Sequence, residues 1–172
     1  MDIVEKYSGS ILQFAGGAVI AFWHPSDANP SHAQLAFDAS REVLAKLPAL
    51  MASQKHISYK LRIALGTGDM AGDWFGPIKQ FQVVGKAMTT ADRLIRTPPI
   101  LDSTVQMSQY TYNLICPHEG IKETGSIGRD NLEDLKVFTY APENSPGQGT
   151  AKTPRSTFSS TLRGAAARFF KR

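Results

Sequence analysis

Cysteine is almost missing: Cys116 is the only one among 172 residues, so no disulfide can form within the chain. A single thiol fits a reducing compartment, and a cytoplasmic location is expected. Nothing around Cys116 marks it as reactive, and it reads as a space-filling residue. No apolar run approaches the roughly 18 residues that a membrane-spanning helix needs. Met1-Asp2-Ile3-Val4-Glu5-Lys6 lacks the basic-then-apolar pattern of a secretory leader. No metal-ligand spacing links His24, His32, His56, His118 and Cys116, so the histidines read as exposed loop residues. The serines and threonines form no nucleophile elbow, and no internal repeat is visible. Acidic residues are absent from 151–172, which carry Lys152, Arg155, Arg163, Arg168, Lys171 and Arg172. The formal charge of +4 therefore belongs to this tail, and residues 1–150 sum to −2. The folded body has no general basic excess, and no nucleic-acid partner is expected.

Hydrophobic residues make up 42% of the chain, enough for one domain with a real core plus a tail. Ile11, Leu12 and Phe14 lead into Gly16-Gly17, and Ala18-Val-Ile-Ala-Phe-Trp23 leads out, which predicts a tight β-hairpin over 9–23. Asp2-Ile3-Val4 reads as the end of a helix preceding it. Residues 24–30 are turn-formers, and Ser31 can cap the next helix. From Ser31 to about Ser53, Leu35, Ala39, Val43, Leu47 and Leu50 recur at helical spacing, with Pro48 expected to end or kink that helix.

Tyr59–Leu65 and Lys79–Val84 read as strands, the first broken by Gly66 and Gly68. Residues 86–96 read as a helix, and Ile100-Leu101 as a short strand. Ser103 is expected to cap a helix from Thr104 to Tyr112. Residues 121–127 and 134–140 read as the last strands. From Ala141 the composition turns to Pro, Gly, Ser, Thr and Lys. The expected organisation is a domain over 1–140, a linker over 141–157 and a basic tail over 158–172. A leading hairpin followed by alternating helices and strands predicts an α+β fold, an antiparallel sheet with helices packed on one face.

Three stretches carry a resemblance: Gly9-Ser-Ile-Leu-Gln-Phe-Ala-Gly-Gly-Ala-Val-Ile-Ala-Phe-Trp23, Leu61-Arg-Ile-Ala-Leu-Gly-Thr-Gly-Asp69, and Phe81-Gln-Val-Val-Gly-Lys-Ala-Met-Thr-Thr-Ala-Asp-Arg-Leu94. In this order and spacing they resemble the catalytic domain of class III adenylyl/guanylyl cyclases, and the first is nearest the soluble adenylyl cyclase branch. The likeness covers about Val4 to Tyr140. It implies a ferredoxin-like core, usually dimeric, converting a nucleoside triphosphate to a cyclic nucleotide. Two divalent cations would lower the 3′-hydroxyl's pKa and neutralise the phosphates, held by oxygen ligands, typically two Asp.

The chemical residues of that family are mostly replaced here. Its first metal Asp lies on a strand-helix unit upstream of the Gly9 region, and Asp2 stands too close to the hairpin to match it. The second Asp follows a Gly in the hairpin turn, where this chain has Gly17 after Gly16. No metal ligand and no cofactor are therefore expected from this chain, and Mg or Mn only where a partner chain supplies ligands. The base-reading Lys and Asp correspond to Gln13 and Gln82. Two amides can still donate and accept; the alternative is that both face solvent or a partner. The family's Asn-x-x-x-Arg corresponds to Thr89-Thr-Ala-Asp-Arg93, with Thr89 and Arg93 one helical turn apart.

Arg93 is thus the retained candidate for a phosphate, or else a surface residue paired with Asp92 or another carboxylate. Lys86 reads as an exposed first-turn lysine. Arg129 or Lys136 corresponds to a late family Lys. Asp69 and Asp73 could be mistaken for a metal pair and read as structural.

The implied function is a degenerate cyclase domain, inactive alone, regulating or dimerising with itself or a cyclase-type partner chain. The alternative is a subunit of an active cyclase with a shared site. In the tail, Phe158, Leu162, Ala165, Ala166 and Phe169 recur at helical spacing among basic residues. That pattern suits an anionic membrane surface or a calmodulin-like groove, against the alternative of a disordered basic tail.

Overall fold

The computed structural model describes residues 2–26, 31–53, 60–97, 104–129 and 132–142. The fold class is α+β. Helix α1 (Asp2–Lys6) leads into the hairpin β1 (Ser10–Ala15) and β2 (Ala18–Phe22), and then helix α2 (His32–Ser53). Strand β3 (Arg62–Leu65), the hairpin β4 (Met70–Phe75) and β5 (Gln80–Gly85), and helix α3 (Lys86–Arg96) follow. The chain closes with β6 (Thr104–Ser108), α4 (Gln109–Asn113), β7 (Ile121–Arg129) and β8 (Leu132–Tyr140).

The central sheet has the order β3-β6-β8-β7. β6 runs parallel to β3 and antiparallel to β8, and β7 pairs antiparallel with β8. The hairpins β1–β2 and β4–β5 stand as separate two-stranded ribbons.

All five residues of β6 are buried, and their alternation sorts the sheet into two unlike faces. Val105 and Met107 join Phe37, Leu44, Leu65 and Phe138 in the apolar core beneath α2. Thr104, Gln106 and Ser108 point the other way, with Thr139 beside Gln106 and Val137 beside Ser108. α2 earns its place through Ala33, Ala36, Phe37, Ala39, Leu44 and Leu47, all buried along one stripe. Phe37 meets Tyr140 edge-on at 5.4 Å between ring centroids, and Tyr112 stacks on Phe138 at 4.2 Å. Trp23, leaving β2, packs against this core while its indole N–H donates to the Tyr7 carbonyl at 2.9 Å.

Several expectations are corrected. Residues 104–108 are a strand, not the start of a helix; only Gln109–Asn113 is helical. Ser108, not Ser103, is the cap, its hydroxyl accepting from the Thr111 N–H at 3.2 Å. Burial on both sides, between β3 and β8, overrides the local helix signals there. β4 was not foreseen: all six of its residues are exposed, so it shows no inside-outside alternation. Pro48 does not end α2, which continues to Ser53 while Leu44 and Leu47 keep its apolar stripe in the core. His118 is no loose loop residue. Its ring packs edge-on against Phe37 and Tyr140, and its Nδ1 accepts from the Gly120 N–H at 3.2 Å. Cys116 is exposed rather than space-filling. His56, the proposed strand at 100–101, and the linker and tail from 143 onward lie outside the described residues.

The short helix α1 is tied to α2 by Lys6, whose ammonium donates to Glu42. Hydrogen bonds from Lys46 and Lys6 hold the Glu42 carboxyl down to about 2 from its usual 4.5. Its contribution to stability is complete above about pH 4.5 and is lost as pH falls towards 2. Glu42→Gln should therefore flatten that part of the acid-unfolding profile, read by circular dichroism against pH. Phe37 is 1% exposed and Ile78 is 84% exposed. Phe37→Ala should lower the unfolding free energy by about 3–5 kcal/mol. Ile78→Ser should change it by less than about 0.5 kcal/mol, both read by urea titration.

Candidate functional site

The residues singled out by the resemblance gather mainly around the turn from β5 into α3. Two glycines make that turn possible. Gly85 has φ +150°, and a Cβ there would lie 2.3 Å from the Asp69 carbonyl oxygen. That same carbonyl accepts from the Lys86 N–H at 2.9 Å, fixing the start of α3 against the start of β4. At the end of β3, a Cβ on Gly66 would lie 2.4 Å from the Ala87 carbonyl oxygen and 2.8 Å from the Ala91 nitrogen. The helix therefore runs in backbone contact with the strand, which only glycine permits.

α3 carries Thr89 and Arg93. The exposed Thr89 hydroxyl donates to the Gly85 carbonyl four residues back, at 3.2 Å. Arg93 is half-buried, and its Nη2 donates to the Ile127 carbonyl of β7 at 3.2 Å. Asp92 is engaged by Arg96, whose Nε donates to both carboxylate oxygens at 2.8 and 2.7 Å. The Asp92 pair envisaged for Arg93 is thus formed by Arg96 instead. The contact to Ile127 had no signal in the sequence, since a carbonyl acceptor is common to every residue.

Gln82 is exposed on β5, opposite Asp73 of β4. Gln13 is exposed on β1, opposite Ile20 and next to a break in register. Gln82, Thr89 and Arg93 therefore sit on one continuous β5–α3 unit, and Gln13 on the other ribbon. No hydrogen bond joins any two of the four among the described residues. Lys86 and Lys136 are exposed, and Arg129 stands opposite Leu132 where β7 turns into β8. Asp69 and Asp73 are exposed, the Asp73 carboxylate accepting from the Trp74 N–H at 2.7 Å.

The β1–β2 turn is built from Gly16 and Gly17, at φ +54° and +83°. A Cβ on either would meet nothing within 4 Å, so the conformation, not the space, selects glycine. Among the described residues no group of three or more His, Cys, Asp or Glu lies together in a way that would hold a metal ion.

No family model matches the chain, and no curated protein matches it in sequence. Solved structures match in fold. The adenylyl cyclase CyaB from P. aeruginosa is 19% identical, with a TM-score of 0.67, over 85% of this chain and 79% of that one. The catalytic core of a rhodopsin-guanylyl cyclase with converted specificity, in complex with ATPαS, is 16% identical, with a TM-score of 0.66, over 81% and 74%. The guanylate cyclase domain of RhGC from Catenaria anguillulae, in complex with GTP, is 14% identical, with a TM-score of 0.62, over 81% and 76%. The chain has the fold of class III nucleotidyl cyclase catalytic domains.

The glycine contacts generate a direct test. Gly66→Ala forces β3 and α3 apart and should cost about 1–3 kcal/mol. Differential scanning calorimetry of the variant should show a lower midpoint, with no such drop for Gly128→Ala, where only the flexible Asp134 carboxylate lies close.

Proposed function

We propose that this chain is a degenerate nucleotidyl cyclase domain, inactive alone, that acts as a regulatory or dimerising module in cyclic-nucleotide signalling. The observation that carries the reading is the Gly16-Gly17 turn. In the resembled family a carboxylate at that turn anchors a cation, and glycine offers no side-chain oxygen. Without two cations the 3′-hydroxyl is not activated and the triphosphate charge is not neutralised. Mg or Mn would bind only with ligands supplied by a partner chain.

What remains suits binding better than turnover. Arg93 supplies a fixed positive charge on α3, to which a phosphate group would add a charge-assisted hydrogen bond. Gln13 and Gln82 can donate and accept at a base edge. The nucleotide is ATP or GTP, the classes present with the solved relatives. A second copy of the chain, or a cyclase-type partner, accounts for the apolar ribbons. Trp74, Phe75 and Val84 on β4–β5, and Phe14 and Val19 on β1–β2, are each at least half exposed. A lone two-stranded ribbon is marginal in water, and clustered apolar side chains of this kind mark an interface.

The retained Arg93 also favours one second reading, a subunit of an active adenylate or guanylate cyclase whose metal half lies on the partner. Under it, Thr89 and Arg93 stabilise the transferring phosphoryl group. The basic tail would direct either form to an anionic membrane or a calmodulin-like protein.

The purified chain with ATP or GTP and Mn²⁺ is expected to form no cyclic nucleotide. Product from the chain alone overturns the reading. Product only with a cyclase partner, lost in Arg93→Ala, moves it to the shared-site enzyme. Arg93→Ala should also weaken triphosphate binding about tenfold, the worth of one charge-assisted hydrogen bond. Isothermal titration reads this, and a thermal melt separates it from loss of the Ile127 tie.

A further inference from the structure

The face of the central sheet turned away from α2 is buried yet polar, and one of its groups lacks a partner. Gln106 is 3% exposed, and its Oε1 is fully buried with no hydrogen-bond donor in reach among the described residues. An unpaired buried acceptor of this kind costs about 1–3 kcal/mol. Gln106 lines a cavity of about 80 Å³ between the C-terminal end of α3 and strands β6, β7 and β8. Thr97, Thr124, Ser126, Ile127 and Val137 complete the wall that matters here.

The wall is rich in acceptors, while the Gln106 amide N–H₂ and the Ser126 hydroxyl add donors. The Thr97 hydroxyl donates to the Arg93 carbonyl at 2.9 Å. The Thr124 hydroxyl bonds the Val137 carbonyl at 3.3 Å and the Thr139 hydroxyl at 2.8 Å. With those protons directed into the protein, the oxygens of Thr97 and Thr124 add acceptor lone pairs to that of Gln106. Ile127 and Val137 supply an apolar side, and among the described residues no charged side chain lines the space. A charged ligand would find no opposite charge among these residues. A group with N–H or O–H donors and a small apolar end would pair the orphan oxygen and fill the rest. On the scale at which one water needs about 10–15 Å³, the space holds about five to eight waters, room enough for a molecule the size of acetamide.

We propose that this cavity is a binding site for a small uncharged hydrogen-bond donor, a primary amide or alcohol, held by Gln106 Oε1. The site also touches Arg93 from two sides. Thr97 holds the Arg93 carbonyl, and the Ile127 carbonyl receives its guanidinium. Occupancy therefore bears on how firmly α3 is held to β7. The proposal does not depend on the cyclase reading, because its test is binding alone.

The experiment is a titration of the ¹⁵N-labelled full chain with acetamide, followed by heteronuclear NMR. Sodium acetate serves as a charged control of the same size, and ammonium chloride as a smaller cationic one. Saturable shifts are expected at the amides of residues 124–127 and at the Gln106 side chain with acetamide, and not with either salt. Gln106→Met keeps the volume and removes the acceptor, and should weaken binding about threefold to tenfold. Thr97→Val should weaken it less and serves where Gln106→Met does not fold. Absence of saturable shifts with acetamide, equal shifts with acetate, or unchanged affinity in the folded variants overturns the proposal.

Discussion

The fold depends on β6 being covered on both sides. Among the described residues β6 and β8 are the strands of the central sheet with a neighbour on each edge, and every residue of β6 is buried. Its two faces solve different problems. The Val105 and Met107 side joins Phe37 and Leu65 in an apolar core, where transfer from water supplies the stabilisation. The other side carries Thr104, Gln106 and Ser108, which stabilise only where their polar atoms are paired. Ser108 meets that condition through Thr111, whose hydroxyl also reaches the Leu65 carbonyl and Thr67. Gln106 meets it with one atom unpaired. A strand with one apolar and one polar buried face fixes its register strictly, since a slip of one residue would exchange the two.

From that strand the candidate site is positioned through glycine. Gly66 closes the gap between β3 and α3, and Gly85 closes the gap between α3 and β4. Once α3 is seated, the direction of Arg93 follows, and it reaches β7 rather than the neighbouring Asp92. The position of that positive charge is therefore set by a chain of backbone contacts. The chemistry implied by the resemblance is thinned out at side chains while this backbone frame is intact.

Much of this was legible in advance, and the exceptions have physical causes. The Gly16-Gly17 hairpin, α2 and α3 were readable because turn chemistry and a 3.6-residue apolar period are local properties. Thr89 and Arg93 could be placed on one helix face for the same reason. β6 was misread because Thr104 to Ser108 runs straight into α4 with no glycine or proline between them, so strand and helix signals merge. β4 was missed because both of its faces are exposed, so no inside-outside alternation marks it. The Ile127 carbonyl as an acceptor for Arg93 was invisible since a backbone carbonyl 34 residues away has no side-chain signature. The cavity beside Gln106 was invisible too, because an orphan acceptor is defined by what surrounds it in three dimensions.

The chain has two tryptophans in opposite surroundings. Trp23 packs on the core with its indole N–H bonded, whereas Trp74 is 61% exposed on a ribbon that lies outside the central sheet. Their emission therefore separates two events in one optical signal. The bluer component reports whether the domain is folded, and the redder one reports whether the β4–β5 ribbon has been covered by another surface.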